Sequence, residues 1–374
     1  MNFVIAAGGT GGHLFPGLAV GEVFVKRGHK VMLLISEKEI DALATQGRSE
    51  FRIERVPGVG IQSKSPLALI QFALKFRAGL GQVKSLYRDF QPHAALGMGG
   101  FTSTAPILAG RSRKIPTFVH ESNAIPGKAN KLNARLVTRV LLGFSECAKF
   151  FPTGKCEITG TPIRTSLAGR LEKSAALATF KLAPGPPTLL VMGGSQGARG
   201  INQALIAALP KLAGRPLQII HLSGSADEAQ LRDSYAKAGI PAFVAAFHHR
   251  MEEAYSAADF AIARSGAASL TELSHFALPA ILIPYPHAAE DHQTLNAKIF
   301  ERAGAAALLN ERETSGENLA EKLLWFLDDP TRLAAASARS GELAPKHAAE
   351  WVADVIQRAA EARNSKPETR NKFQ

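Results

Sequence analysis

Val4-Ile5-Ala6-Ala7-Gly8-Gly9-Thr10-Gly11-Gly12-His13 opens the chain, and Leu189-Leu190-Val191-Met192-Gly193-Gly194-Ser195-Gln196-Gly197-Ala198-Arg199 stands near its middle. Each is an apolar run that passes straight into glycines. A short apolar run bounded by turn residues reads as a buried strand. Glycines directly after it let backbone amides approach an anion at the start of the next helix, with no side chain in the way. The recurrence of this pattern predicts two similar halves.

Outward from the first stretch, residues 3–6, 31–35, 94–96, 117–120 and 137–142 read as buried strands, separated by helical periods at 18–26, 67–89 and 128–135. Outward from the second, strands are expected at 188–192, 217–222, 243–246, 260–263 and 280–283, and helices at 201–209, 227–238, 268–276, 294–302 and 317–327. Strand–helix alternation at this spacing implies parallel βαβ units. The expected fold is α/β: two Rossmann-like, doubly wound parallel-sheet domains with a ligand cleft between their strand C-termini. The break falls in the richest Pro/Gly region, from Gly160-Thr161-Pro162 to Pro184-Gly185-Pro186-Pro187. The expected division is a domain over 1–162, completed by a helix over 345–364, a second over 163–344, and a disordered basic tail at 365–374.

The 374 residues carry 44 Lys and Arg against 32 acids, a net charge of +12 and a pI near 9.8. That surplus suits an anionic partner or a solubilising surface. No zinc-finger spacing, RNP-type strand or long basic helix occurs, so no nucleic-acid partner is expected. Cys147 and Cys156 form no CxxC, and no His cluster completes a metal set, so reduced thiols and no metal or cofactor are expected. The opening strand argues against a signal peptide. The absence of an ~18-residue apolar run leaves only peripheral membrane contact.

Four stretches carry chemistry. His13 follows the glycine turn at Gly8–Gly12, where its imidazole could take a proton from a hydroxyl or simply cap the helix. Ser195 and its neighbouring amides can form an anion nest, with Arg199 as a phosphate clamp or a surface residue. Small residues in Arg264-Ser265-Gly266-Ala267-Ala268-Ser269-Leu270-Thr271-Glu272 let a phosphate rest on a helix start, and Glu272, about one turn in, can accept two hydrogen bonds from a ribose diol. Pro284-Tyr285-Pro286-His287, with Asp291-His292-Gln293 and Asn296, is a polar cluster after a buried strand. Gly97-Met98-Gly99-Gly100-Phe101 and His120-Glu121-Ser122-Asn123 also follow strands. Glu37, near the end of the second strand, keeps a nicotinamide-dependent oxidoreductase open as a minority reading.

Taken in order, these motifs resemble the MurG family of peptidoglycan synthesis, UDP-N-acetylglucosamine:undecaprenyl-diphospho-muramoylpentapeptide N-acetylglucosaminyltransferases. The likeness runs from Gly8 to about Asn296 and more loosely beyond. It implies a GT-B fold and a metal-independent, inverting hexosyl transfer from UDP-N-acetylglucosamine to the 4-hydroxyl of a lipid-linked muramoyl acceptor. It further implies that Thr10, Gly11 and Gly12 contact the donor, with Asn123 at the sugar. Arg164 and Ser195 serve the diphosphate, and His248 holds the uracil largely through backbone. Ala267, Ala268, Ser269, Leu270, Thr271 and Glu272 cover phosphate and ribose, and Gln293 reads the sugar. The chain departs from the family at Ser122, usually Gln, Thr161, usually Asn, and His248, usually aliphatic or aromatic.

The transfer needs a base for the attacking hydroxyl, and His13 and Glu121 are the two candidates. The acceptor implies a peripheral location on the cytoplasmic face of the cell membrane. Over 64–88, Lys64, Lys75, Arg77, Lys84 and Arg88 accompany Leu67, Ile70, Leu74 and Phe76 with no acid before Asp89, a basic amphipathic pattern that suits an anionic membrane surface. The same segment carries a stripe at Leu69, Ala73, Phe76, Leu80 and Val83 that suits a core. A sugar-nucleotide epimerase or glycolipid synthase, or a donor-binding protein without turnover, are the other readings. Release of UDP only when lipid acceptor is present separates them.

Overall fold

A computed structural model describes residues 1–38, 41–42, 45–58, 65–167, 169–193 and 198–365. Ser195, Lys64 and all of the expected tail except Ser365 lie outside the described residues. The chain divides into two units, one of Met1–Arg164 with Lys346–Gln374 and one of Thr165–Pro345.

The first unit holds β1 (Asn2–Ala6), β2 (Lys30–Ile35), β3 (Arg52–Arg55), β4 (Ala94–Gly97), β5 (Thr117–Glu121), β6 (Arg139–Leu142) and β7 (Cys156–Ile158). They pair in the order β3-β2-β1-β4-β5-β6-β7. Every pair is parallel, in registers such as Phe3 with Val31 and Ala6 with Gly97. A parallel sheet needs both faces covered, and the side-chain alternation of β1 shows how this is met. Phe3, Ile5 and Ala7 join a core with Leu14, Leu18 and Phe24 of the Gly11–Lys26 helix and with Val352 and Ile356 of the Ala348–Asn364 helix. Val4 and Ala6 face the other way, onto Val83 and Tyr87 of the Pro66–Phe90 helix and Ala109 of the Thr104–Ser112 helix. The chain end thus returns to the first unit because its apolar face fills that core.

The second unit holds β8 (Thr188–Met192), β9 (Gln218–Leu222), β10 (Ala242–Ala245), β11 (Phe260–Ala263), β12 (Ala280–Leu282) and β13 (Ala306–Leu308), ordered β10-β9-β8-β11-β12-β13 and again all parallel. Its core gathers Leu189, Val191, Leu205, Leu209, Ile262, Ile281 and Leu323. In each unit the strand order reverses once, between β1 and β4 and between β8 and β11. At such a reversal the loops leaving the strands' carboxyl ends diverge, and ligands of doubly wound sheets bind there.

Three strands escape the sequence reading: β3, β7 and β13. All lie at sheet edges. β3 and β7 carry charge, and β13 is a half-buried strand of only three residues, so none shows the long buried apolar run that marks a central strand. Arg52 of β3 pairs with Glu54 and Asp89. The stripe on the Pro66–Phe90 helix also needs correction as a core stripe. Val83 and Tyr87 are buried, Phe76 and Leu80 half-buried, but Leu69 and Ala73 are exposed. The helix has 25 residues, about 38 Å at 1.5 Å per residue, while a typical strand is only ~17–20 Å long. Its first half outruns the sheet that could bury it.

Candidate active site

The glycine turn after β1 leads into the Gly11–Lys26 helix through an extended Thr10, and no acid stands in the first turn. First-turn amides have no intrahelical acceptor, so this end is electropositive and suits an anion. The Thr10 hydroxyl lies 3.3 Å from His13 Nδ1. On the other side, Gly99 and Gly100 after β4 take φ of 114° and 70° and lie against the same ring. A Cβ at Gly99 would fall 2.9 Å from His13 Nε2, so the close approach requires glycine. The His13 ring is therefore seated between the loops that follow β1 and β4, at the reversal of the strand order. The Arg164 guanidinium stacks 4.5 Å from the centroid of the Phe15 ring. The Phe15 ring edge would lie 3.2 Å from a Cβ at Gly11. The structure thus brings Arg164 beside the first turn of this helix.

Glu121 ends β5 and is 4% exposed. Its Oε1 accepts from the Asn123 backbone N–H at 3.0 Å and from Asn123 Nδ2 at 3.1 Å. Its Oε2 accepts from the Gly127 N–H at 3.0 Å and from Asn130 Nδ2 at 2.9 Å. Four donors enclose this carboxylate, and they fix the Asn123 amide. Asn130 also donates to the His120 carbonyl at 3.0 Å. The sequence reading missed Asn130, which sits in a short helix, Lys128–Asn133, with no motif of its own. His120 is fully buried, and burial pushes its pKa below the usual histidine value. Its Nε2 meets the Gly160 carbonyl at 2.9 Å and its Nδ1 the Ser122 hydroxyl at 3.3 Å. Ser122 and Thr161, two of the family departures, are both buried beside Gly143, where a Cβ would fall 2.4 Å from Thr161 Oγ1.

In the second unit, Gly266 caps the Ala267–His275 helix. Ala267, Leu270 and Thr271 turn inward, and the Thr271 hydroxyl donates to the Ala267 carbonyl at 2.9 Å. Ala268, Ser269 and Glu272 are half-buried. Glu272 Oε2 accepts from the Tyr255 hydroxyl at 2.7 Å. The sequence gives no sign of this partner, since Tyr255 sits among core residues of the Met251–Ala257 helix. His248 turns its Nε2 to Glu253 Oε2 at 3.0 Å and packs its ring on Phe180. Gln293 Oε1 accepts from the Tyr285 N–H at 2.9 Å, so it orders the loop after β12. Asn296 and Ser265 tie the helix that begins at His292 to the loop after β11. Arg264 binds Glu311 through both terminal nitrogens, at 2.9 and 2.8 Å, and also donates to the Ile283 and Pro284 carbonyls. That half-buried pair gathers the loops after β11 and β12 and the turn after β13. Arg199 is exposed at the start of its helix. Among the described residues, no three His, Cys, Asp or Glu side chains are grouped to hold a metal.

Residues 3–142 match the glycosyltransferase family 28 N-terminal domain and residues 188–358 the glycosyltransferase family 28 C-terminal domain. A UDP-N-acetylglucosamine–N-acetylmuramyl-(pentapeptide) pyrophosphoryl-undecaprenol N-acetylglucosamine transferase of Geotalea uraniireducens is 38% identical, over 96% of this chain and 98% of its own. The enzyme of that name from Geobacter sulfurreducens is 38% identical over 95% and 98%. The crystal structure of Acinetobacter baumannii MurG superposes with a TM-score of 0.77 at 26% identity, covering 96% of this chain and 100% of that one. The UDP-GlcNAc 2-epimerase of Neisseria meningitidis bound to UDP-GlcNAc shares the fold alone, with a TM-score of 0.65 at 12% identity. The chain is a glycosyltransferase of family 28, and within it belongs to the MurG family of N-acetylglucosamine transferases.

Proposed function

We infer that this chain transfers N-acetylglucosamine from UDP-N-acetylglucosamine to the 4-hydroxyl of a muramoyl-pentapeptide carried on pyrophosphoryl-undecaprenol, with inversion at the anomeric carbon. One observation carries the reading for this chain's own residues. Glu272 is held by Tyr255 one turn inside a helix whose capping glycine leaves its first amides open to a phosphate. That is the donor set for a ribose next to a diphosphate. The acceptor oxygen attacks the anomeric carbon, the bond from that carbon to the UDP oxygen breaks, and UDP leaves as the anion. The attacking hydroxyl gives its proton to His13. The enclosure of Glu121 by four donors supports His13 over Glu121 as the base and gives Glu121 the task of holding Asn123 toward the sugar. Arg164 and the amides of Gly11 and Gly12 offset the growing diphosphate charge through positioned dipoles and one cation. Transfer of labelled sugar to a muramoyl-diphospho-lipid tests the reading, and UDP release without acceptor would count against it.

Charge offset by helix ends and Arg164 gives an expectation of full turnover in excess EDTA. Recovery of a chelated, inactive enzyme on adding magnesium or manganese would overturn it.

The first half of the Pro66–Phe90 helix supports peripheral binding to an anionic bilayer. Leu67, Ile70 and Leu74 are 67%, 58% and 63% exposed, beside the exposed cations Lys75 and Arg77. Exposed aliphatics gathered on one helix are uncommon on a surface facing only water. Among the described residues, no helix is long and apolar enough to cross a membrane. Changing Lys75 and Arg77 to Glu should weaken binding to anionic vesicles by at least ~2 kcal/mol, from about 1 kcal/mol per cation. Turnover of a soluble acceptor should persist. Unchanged co-sedimentation with vesicles would place the membrane face elsewhere.

A further inference from the structure

A buried acid behind the glycine turn has no part in the chemistry described so far. Asp41 is fully buried. Its Oδ2 accepts from the Gly9 N–H at 2.7 Å, the Ser36 N–H at 3.2 Å and the Ser36 hydroxyl at 2.5 Å. Its Oδ1 is buried with no hydrogen-bond partner among the described residues. Lys38 Nζ donates to the Gly9 carbonyl at 2.7 Å. Gly9 is thus held through both its N–H and its C=O by the segment that follows β2. Gly8 must lack a side chain for the same reason, since a Cβ there would fall 2.6 Å from the Ser36 nitrogen and 2.8 Å from Asp41 Oδ2. Gly9 takes a φ of 94°, which glycine adopts without strain, so the hydrogen bonds with Asp41 and Lys38 select it among the conformations open to glycine.

A buried carboxylate without a full set of donors is costly, so its retention calls for a reason. Here the reason is local geometry. The Gly8–Gly9 turn sets where Thr10 begins the helix, and Thr10 is what His13 Nδ1 faces. We propose that Asp41 is a positioning residue for this site: by fixing Gly9 it holds the seating of the His13 ring against Gly99. The inference rests on the reading of His13 as the base. Asp41 touches no substrate atom and acts only through the turn. In a nicotinamide-binding sheet an acid after the second strand would face a ribose. Here the acid in that region is turned inward onto the glycine turn, while Glu37 is exposed.

The test uses the full chain. Asp41→Asn keeps the volume, Asp41→Ala removes the acceptor, and Ser36→Ala deletes one donor and spares the fold. Each is made in the native and His13→Ala backgrounds. The melting temperature serves as the fold control, and UDP affinity by calorimetry reads the donor site. In the native background Asp41→Ala should lower kcat about tenfold or more and Ser36→Ala about threefold, with UDP affinity within twofold of native. In the His13→Ala background the same changes should cost less than twofold, because the ring they position is gone. Multiplicative losses in both backgrounds, or a kcat per folded molecule within twofold of native for all three, overturn the proposal. Side-chain NMR of labelled histidines gives a readout without turnover. Asp41→Asn should move the His13 ring resonances well beyond those of His221, and an unmoved His13 overturns the proposal even if the chain transfers no sugar. Absence of transfer by the native chain would instead sink the functional reading.

Discussion

His13→Ala is expected to lower turnover about 100-fold or more while donor affinity changes little. General-base catalysis contributes ~10²–10⁴-fold, enough to stand clear of residual activity. The geometry supports this size of effect. The ring lies between Thr10 and Gly99 at the reversal of the strand order, and Gly99 cannot carry a side chain without striking Nε2. A histidine that only capped the helix would show its loss as reduced stability, yet the Gly11–Lys26 helix has no side-chain cap at its N-terminus. Two measurements check the expectation: kcat per folded molecule, and the pH profile, whose acidic limb should vanish in the variant. Near-native turnover of His13→Ala together with a collapse in Glu121→Gln at unchanged stability would transfer the role to Glu121. The enclosure of Glu121 predicts the opposite pattern. Its loss should lower the melting temperature as well as activity, because four donors would be left facing a poor acceptor.

Glu272→Ala should weaken UDP-N-acetylglucosamine binding by about 1.5–3 kcal/mol, the worth of a hydrogen bond to a charged group, or roughly 10–150-fold in Kd. Chemistry on bound donor should slow much less, since a ribose contact is remote from the breaking bond and acts equally on ground and transition states. Tyr255→Phe should give a smaller loss in the same direction, because the hydroxyl only orients the carboxylate. Calorimetric titration of donor and of UDP alone separates the cases. An unchanged dissociation constant in Glu272→Ala would sink the ribose assignment. Loss of sugar discrimination with intact UDP affinity would move Glu272 to the sugar.

Much of the fold was legible because its signals are local. A central parallel strand is apolar throughout, as 189–192 and 260–263 are, and needs no distant information to be recognised. Edge strands differ. Arg52–Arg55 takes its structure from pairing with β2, not from its own composition. The Pro66–Phe90 helix was legible as a helix, with Ser65 accepting from the Ala68 N–H and Pro66 at its start. Which of its faces meets the core was not, because that depends on where the sheet beneath it stops.

The site divides in the same way. By itself the sequence determined that glycines follow β1 and β8, that His13 stands just after the first turn, and that Glu272 lies one turn into a helix with small residues at its start. These are matters of spacing along one segment. Only the tertiary structure decided what each group is free to do. Gly9 and Asp41 are 32 residues apart and Tyr255 and Glu272 are 17 apart, yet each pair shares a hydrogen bond of 2.7 Å. Along the chain Glu121 reads as an open carboxylate, and in the fold Asn123, Gly127 and Asn130 close around it. A carboxylate, an imidazole or a lysine reads alike along the chain whether it is enclosed or open. Its role follows from which donors the fold brings to it, and that is set by strand order and packing rather than by neighbours in sequence.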